Sequence, residues 1–221
     1  MPDRGLEPVP LVRPAVLEAT DSQAVDAAAM ALDAGGIVGI PTETVYGLAV
    51  LPRPAPLALL IEAKGRSLRK GITLLVDGLD QVAPLVVIPA LAGRLAARFW
   101  PGALTLVLPL REGVTLPVAL TGGAAALGVR VPDHDTPRSL ARRLGPLAVS
   151  SANRSGRPDA RTVAELLASV GDSVALVIDD GPVRGGVPST VVRVSVEGEL
   201  TVLRHGALSA DELRRVARAS R

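Results

Sequence analysis

No cysteine occurs anywhere in the 221 residues, so this chain can build no disulfide framework, thiolate nucleophile or thiolate metal site. A cytoplasmic location is the expectation that follows. Aromatic residues are almost as scarce: Tyr46, Phe99 and Trp100 are the whole set, too few to stack successive bases of single-stranded RNA. The two histidines, His134 and His205, stand far apart and lend little to a serine triad or a zinc site. Neither a Gly-x-Ser-x-Gly elbow nor a Gly-x-x-x-x-Gly-Lys-Ser/Thr loop is present, so neither an α/β-hydrolase nucleophile elbow nor a Walker loop is expected. Apolar runs such as Leu85–Ala92 are broken by proline or glycine, well short of the ~20 residues that span a bilayer. No membrane association is expected. No basic-then-apolar leader precedes residue 30, because the first twenty residues carry Pro2, Pro8, Pro10, Pro14 and charges of both signs.

Lysine is the scarcest charge. Arginine supplies nearly every cation, and Lys64 and Lys70 are the only lysines, six apart in Lys-Gly-Arg-Ser-Leu-Arg-Lys. The pI of 9.6 overstates the basicity, since the formal charge is only +2. With so few lysines, one tyrosine and no cysteine, little titrates between neutrality and high pH. Phosphate can therefore be attracted only by local patches, of which Arg66–Lys70 and Arg138–Arg143 are the candidates.

What the chain has in plenty is apolar side chains, 48% of the total, ample for one packed domain of this length. Apolar periodicity with glycine and proline punctuation predicts helices at Ala24–Leu32, Pro54–Ala63, Pro89–Phe99, Asp135–Leu144, Thr162–Val170 and Ser209–Arg218. Asp21 or Ser22 is expected to cap the first, and Arg94 and Arg98 to point outward on the third. Strands are predicted at Ile37–Ile40, Ile72–Val76, Leu104–Leu110, Leu127–Val131, Leu147–Ser150 and Val174–Ile178. Thr190–Val196 and Leu200–Leu203 flank Glu197-Gly198-Glu199 as a hairpin. Helices alternating with short strands argue for an α/β fold, and the late hairpin for a mixed sheet.

Four strand exits are polar, and ligands of open α/β sheets sit at strand exits. After Ile40, Pro41 stops the strand and Thr42, Glu43, Thr44 and Tyr46 crowd its end; they face a ligand or form a solvated turn. Besides these exits, Lys64-Gly65-Arg66 at a helix-to-loop boundary, with Arg69 and Lys70 behind, offers a guanidinium fork and compact ammonium charges to a polyphosphate, or is a solvated loop. Ser150-Ser151-Ala152-Asn153 presents hydroxyls, an amide and backbone N–H groups to phosphate, or is an Asx or Ser turn. Ser189-Thr190 repeats that theme, and Arg204-His205-Gly206 adds a cation after the last strand. Asp179-Asp180 could hold Mg²⁺, though ending a strand is the favoured reading.

Taken in order, Pro41–Gly47 as Pro-Thr-Glu-Thr-Val-Tyr-Gly, Lys-x-Arg at Lys64–Arg66, Trp100-Pro101-Gly102, Val129-Arg130-Val131-Pro132-Asp133-His134, Ser-x-Asn at Ser151–Asn153, Pro188-Ser189-Thr190 and Arg204-x-Gly206 resemble the YrdC-like threonylcarbamoyl-AMP synthases. The resemblance runs from about Asp21 to Ala207. It implies a twisted mixed α/β sheet with flanking helices around a concave, basic cavity. The domain plan it implies is an N-terminal arm at 1–20, a YrdC-like domain at 21–208 and a C-terminal helix of the same domain at 209–221. Longer members carry an extra C-terminal domain, which a chain of this length is not expected to include.

The activity implied is synthesis of L-threonylcarbamoyl-AMP and pyrophosphate from L-threonine, bicarbonate and ATP, with Mg²⁺ accompanying ATP. The product feeds the t⁶A modification of tRNA through transfer proteins that accept it, and tRNA or double-stranded RNA is a further implied partner. Carried over by position, Lys64, Arg66, Ser151 and Asn153 form the phosphate and nucleotide tetrad, with Lys64 and Arg66 in the catalytic role. Lys70, Arg130 and Arg204 are further nucleotide contacts, and Thr42 and Ser189 contact threonine. Ser67 stands where proline usually follows Lys-x-Arg, Leu75 where some members have histidine, and Gly71 where proline is frequent. These departures bear on the amino acid more than on the nucleotide. An RNA-binding module of the same fold is the alternative. So is a carbamoyl-adenylate enzyme with another acceptor, like the YrdC-like domain of hydrogenase-maturation carbamoyltransferases, although the acylphosphatase and zinc-finger segments that accompany that domain are absent.

Overall fold

Side chains of opposite parity on a β-strand face opposite sides of its sheet, and here the two sides are covered to different extents. The computed structural model describes residues 14–218. Its elements are β1 (Ala15–Glu18), α1 (Ala24–Asp33), β2 (Val38–Ile40), β3 (Gly47–Val50), α2 (Pro54–Lys64), β4 (Thr73–Leu75), α3 (Ala90–Phe99), β5 (Leu104–Pro109), α4 (Val118–Thr121), β6 (Ala126–Arg130), α5 (Asp135–Leu144), β7 (Leu147–Ser151), α6 (Val163–Val170), β8 (Leu176–Asp179), β9 (Thr190–Val194), β10 (Leu200–Arg204) and α7 (Ala210–Arg218). Among the described residues the strands form one ten-stranded sheet in the order β1-β8-β2-β3-β7-β4-β6-β5-β9-β10. Parallel pairs (β1 with β8, β8 with β2, β4 with β6, β5 with β9) mix with antiparallel ones. This is the mixed α/β sheet expected.

Leu48, Leu74, Leu106, Val129 and Val192 project to one face, where Leu57 and Leu60 of α2, Leu91 and Leu95 of α3, Leu166 of α6 and Leu213 of α7 close the larger core. On the opposite face α1 and α5, through Ala28, Leu32 and Leu140, cover Val38, Ile40, Ala49, Leu75, Leu147, Val149 and Ile178. That second layer stops at β4. Residues of the same parity on β5 and β6, such as Thr105 and Gly128, belong to neither core, and this stretch of sheet becomes the floor of a cleft.

Most predicted elements are present within a residue or two of their expected ends, and four differences stand out. Gly47–Val50 forms β3 and pairs antiparallel with β2, Ile40 opposite Gly47, so the polar residues after Ile40 belong to a six-residue connection between neighbouring strands. All four β3 residues are buried, leaving no alternation for a sequence reading to detect. Ala15–Glu18, placed in the N-terminal arm by sequence, is an edge strand on β8; positions 1–13 of the arm lie outside the described residues. Asp21 Oδ1 accepts from Gln23 N–H at 2.8 Å while Gln23 takes the cap position of α1. On α3, Arg98 is exposed as expected, but Arg94 is half-buried with no partner for its Nε among the described residues.

The C-terminal helix opens with a reciprocal capping box. Ser209 Oγ accepts from Glu212 N–H at 3.3 Å, and Glu212 Oε2 accepts from Ser209 N–H at 2.9 Å. Its amphipathic face buries Leu213 completely. Leu213→Ala is expected to cost about 2–5 kcal/mol, read as a lower denaturant midpoint; a loss under about 0.5 kcal/mol, the scale of an indifferent surface substitution, would show that α7 is not anchored there.

Candidate functional site

A cleft open to solvent lies on the uncovered face. Its floor is Thr73, Thr105 and Leu75, and its walls come from the connections at strand and helix ends. Three guanidinium groups face it, those of Arg66, Arg130 and Arg204, with Thr42, Thr44, Ser150, Ser151 and Ser189 as hydroxyl bearers. Among the described residues lining it, Asp159 is the only carboxylate.

Each arginine is aimed by local backbone. α2 ends at Gly65 with φ 56°, a left-handed cap that glycine adopts without a Cβ penalty. The reversal it makes sends Lys64 and Arg66 in different directions. Arg66 donates from Nε to Lys70 O (3.1 Å), from Nη2 to Gly71 O (2.9 Å) and from Nη1 to Ser150 Oγ (3.4 Å). Arg130, at the end of β6 opposite Leu75, is buried. It donates from Nε to Gly102 O (3.0 Å) and from Nη2 to Glu43 Oε1 (2.6 Å) and Thr44 Oγ1 (3.0 Å), so Trp100-Pro101-Gly102 acts as its buttress. Glu43 Oε2 is buried and has no partner among the described residues. Arg204 faces the cleft because β10 carries a bulge: Val202 pairs with Val192, yet Arg204 pairs with Val191. One extra residue re-aims the side chain. Its Nη2 then reaches Ser189 O (2.8 Å) and Ser189 Oγ (3.2 Å), while Ser189 Oγ and Thr105 Oγ1 share a hydrogen bond of 2.8 Å.

The sequence-predicted residues divide here. Arg66, Arg130, Ser151, Arg204, Thr42 and Ser189 come together on the cleft. Thr42 is occupied within its own turn, Oγ1 donating to Val45 O (2.6 Å) and accepting from Thr44 N–H and Val45 N–H. Lys64, Asn153 and Lys70 are not on the wall. Lys70 is exposed and gives the site its carbonyl. Lys64 is 2% exposed and its ammonium lies behind the wall, against Ser151 O, Asn153 O and Asn153 Oδ1. Arg66 and Asn153 nevertheless lie on the same side of the molecule, since Arg66 reaches Ser150 and Lys64 reaches Asn153. Asp179 ends β8, accepting from Gly181 N–H at 2.8 Å, and Asp180 accepts from His134 Nε2 (3.1 Å). No group of three or more His, Asp or Glu among the described residues is placed to hold a metal.

Burial sets the electrostatics. Desolvation lowers the Arg66 pKa, with Arg204 adding repulsion. Desolvation lowers Arg204 as well, opposed by Asp159 and reinforced by Arg130. Lys64 falls to about 8 through burial first and Arg66 second, against the pull of Asp159. Cations so close favour an anionic ligand that neutralises them. Thr105 and Asp159 were missed by sequence reasoning: a threonine inside a strand looks like an ordinary β-former, and Asp159 sits in a polar loop.

A cleft lined by three arginines and several hydroxyls, on one face of a mixed α/β sheet, suits a small anionic ligand. Residues 30–206 match the Sua5/YciO/YrdC family, described as "Telomere recombination", and the chain belongs to that family. It is 38% identical over 164 residues to the threonylcarbamoyl-AMP synthase of Idiomarina loihiensis, covering 71% of this chain and 86% of that one. To the Bacillus subtilis threonylcarbamoyl-AMP synthase it is 35% identical over 204 residues, 90% of this chain and 58% of that one. It superposes on the crystal structure of P. abyssi Sua5 complexed with L-threonine with a TM-score of 0.83 and 34% identity, over 91% of this chain and 60% of that chain. The chain thus spans most of the first relative and under two thirds of the other two.

Two measurements test this geometry. Gly206 approaches the Ser189 backbone so closely that a Cβ there would stand 2.3 Å from Pro188 O and 2.5 Å from Ser189 C. Gly206→Ala is therefore expected to destabilise the protein by about 1–3 kcal/mol, seen in thermal or chemical unfolding; unchanged stability would contradict the packing. Tyr46 donates to Gly181 O (2.8 Å) and accepts from Asp180 N–H (3.1 Å), and burial raises it to about 12. Being the sole tyrosine, it is a clean ultraviolet reporter, expected to ionise near pH 12 when folded and near its ordinary 10 in denaturant. The folded value is the raised one, so its contribution to stability is complete below pH 10 and disappears between 10 and 12. Ionisation of the native protein near pH 10 would contradict the burial.

Proposed function

We propose that this protein is an L-threonylcarbamoyladenylate synthase, a nucleotidyltransferase that makes threonylcarbamoyl-AMP and pyrophosphate from L-threonine, bicarbonate and ATP. The observation that carries the reading is the convergence of Arg66, Arg130 and Arg204 with the hydroxyls of Ser151, Ser189 and Thr105 on one cleft, in a chain of this family. Its relatives bear that activity in their names, and a related structure is named for its complex with L-threonine.

The chemistry asks little of a protein nucleophile. The threonine amine attacks CO₂ derived from bicarbonate, releasing a proton and leaving a carbamate. A carbamate oxygen then attacks the α-phosphorus of ATP, the bond to the β-phosphate bridging oxygen breaks, and pyrophosphate leaves. Two anions must meet, so charge neutralisation and alignment dominate. Arg66 and Ser151 hold the nucleotide phosphates, with Arg130 and Arg204 as further contacts. The Ser189–Thr105 hydroxyl pair, with Thr42 nearby, takes the amino acid, and Asp159 suits its ammonium or a ribose hydroxyl. Mg²⁺ enters as part of MgATP, held by the phosphates. The product then serves t⁶A transfer proteins acting on tRNA in the cytoplasm.

Pyrophosphate release is expected to require ATP, bicarbonate and threonine together, and to fall roughly a hundredfold or more in Arg66→Ala with circular dichroism unchanged. With ATP present, threonine is expected to raise the melting temperature more than serine or valine does. Absence of threonine-dependent turnover alongside salt-sensitive binding of duplex RNA would overturn the synthase in favour of an RNA-binding module. Turnover with a different acceptor would mark Leu75, on the cleft floor, as the place where specificity departs.

A further inference from the structure

We infer that Lys64 is a positioning residue, which fixes the strand exit at Ser151–Asn153 so that Ser151 faces the cleft, and is not itself a ligand of the bound anion. The inference rests on the nucleotide reading of the cleft and refines the tetrad within it. An ammonium has three N–H bonds, and in Lys64 all three meet protein acceptors: Ser151 O, Asn153 O at 2.6 Å and Asn153 Oδ1 at 3.3 Å. The same residue's carbonyl accepts from Ser155 N–H at 2.8 Å, so both its backbone and its side chain hold one loop. Asn153 is likewise used up. Its Oδ1 accepts from Ser151 Oγ (2.6 Å) and its Nδ2 donates to Arg157 O (2.5 Å). Within this closed network Ser151 is the member that lines the cleft.

Two residues on, Arg66 faces the other way and does line it. The tetrad therefore splits into a front pair, Arg66 and Ser151, and a rear pair, Lys64 and Asn153. The charged groups acting on the Lys64 ammonium are Arg66 from the same helix end and Asp159 from the segment after β7. Holding it at about 8 leaves it protonated at neutral pH and poised to lose the clamp just above. A neutral amine would set a lone pair against one of three oxygens.

With only two lysines, isotope-labelled lysine gives two side-chain NMR signals, assignable through Lys70→Arg. In nucleotide-free protein, Lys64→Met is expected to speed amide exchange over residues 151–155 by tenfold or more, whereas Arg66→Met leaves those amides unchanged. In the wild type, protection of the same amides, corrected for intrinsic exchange, falls as pH passes 8. A saturating non-hydrolysable ATP analogue is expected to change the Lys64 acid dissociation constant by less than about tenfold, because direct contact with a triphosphate would lower it by about tenfold or more. A larger change, or loop exchange indifferent to both Lys64→Met and pH, overturns the inference. Calorimetry with the same analogue keeps the two readings apart: failure to bind removes the nucleotide reading, while the exchange measurements, made without nucleotide, still decide the role of Lys64. Should Lys64→Met not fold, the wild-type pH series and titration decide it.

Discussion

Three guanidinium groups facing one cleft would repel one another and resist desolvation, and the rest of the site is organised to hold them there. Arg66 is tied to two backbone carbonyls, Arg130 to a carbonyl and the Glu43 carboxylate, Arg204 to the carbonyl and hydroxyl of Ser189. These acceptors fix direction but neutralise only one of the three charges, through Glu43. Burial lowers the pKa of Arg66 and Arg204 without approaching the point where arginine gives up its proton. The remaining positive charge is a standing demand for an anion, already oriented and needing little reorganisation when that anion arrives.

That demand is met on the sheet by leaving part of one face bare. α1 and α5 cover the face from β8 to β4, and the second core stops there, so Thr73 and Thr105, with Leu75 at the edge of that core, are left to line the cleft. The larger core on the opposite face supplies the rigidity that an uncovered surface lacks. A bulge in β10 and a left-handed turn at Gly65 then carry out the fine aiming, one residue each. Positions that look like packing defects are the ones that direct the cations.

Much of this could be read from residues alone. Ser150–Asn153 and Arg204 were visible because hydroxyls and a cation follow apolar runs directly, and Ser189 because it stands at the entry to an apolar β-branched run; topology brings the three together. What escaped was whatever depends on a pairing partner. β3 has no alternation because both its faces are buried. Thr105 meets the Ser189 hydroxyl on the cleft only because β9 lies beside β5. Arg204 faces the cleft only by grace of a bulge, and no periodicity within five residues announces a shift of one.

Lys64 and Arg66 carry that lesson furthest. In sequence they are two cations of one motif, and charge alone treats them as equivalent phosphate ligands. Geometry separates them: across the left-handed Gly65, Arg66 lines the cleft while the Lys64 ammonium meets Ser151 O, Asn153 O and Asn153 Oδ1. The compact ammonium fits a nest of backbone oxygens on the buried side, where three donors pointing apart are an advantage. The planar fork suits the open side, where a guanidinium can offer paired N–H groups to phosphate oxygens. The choice of lysine at one position and arginine at the other, in a chain that otherwise avoids lysine, follows from that division of labour.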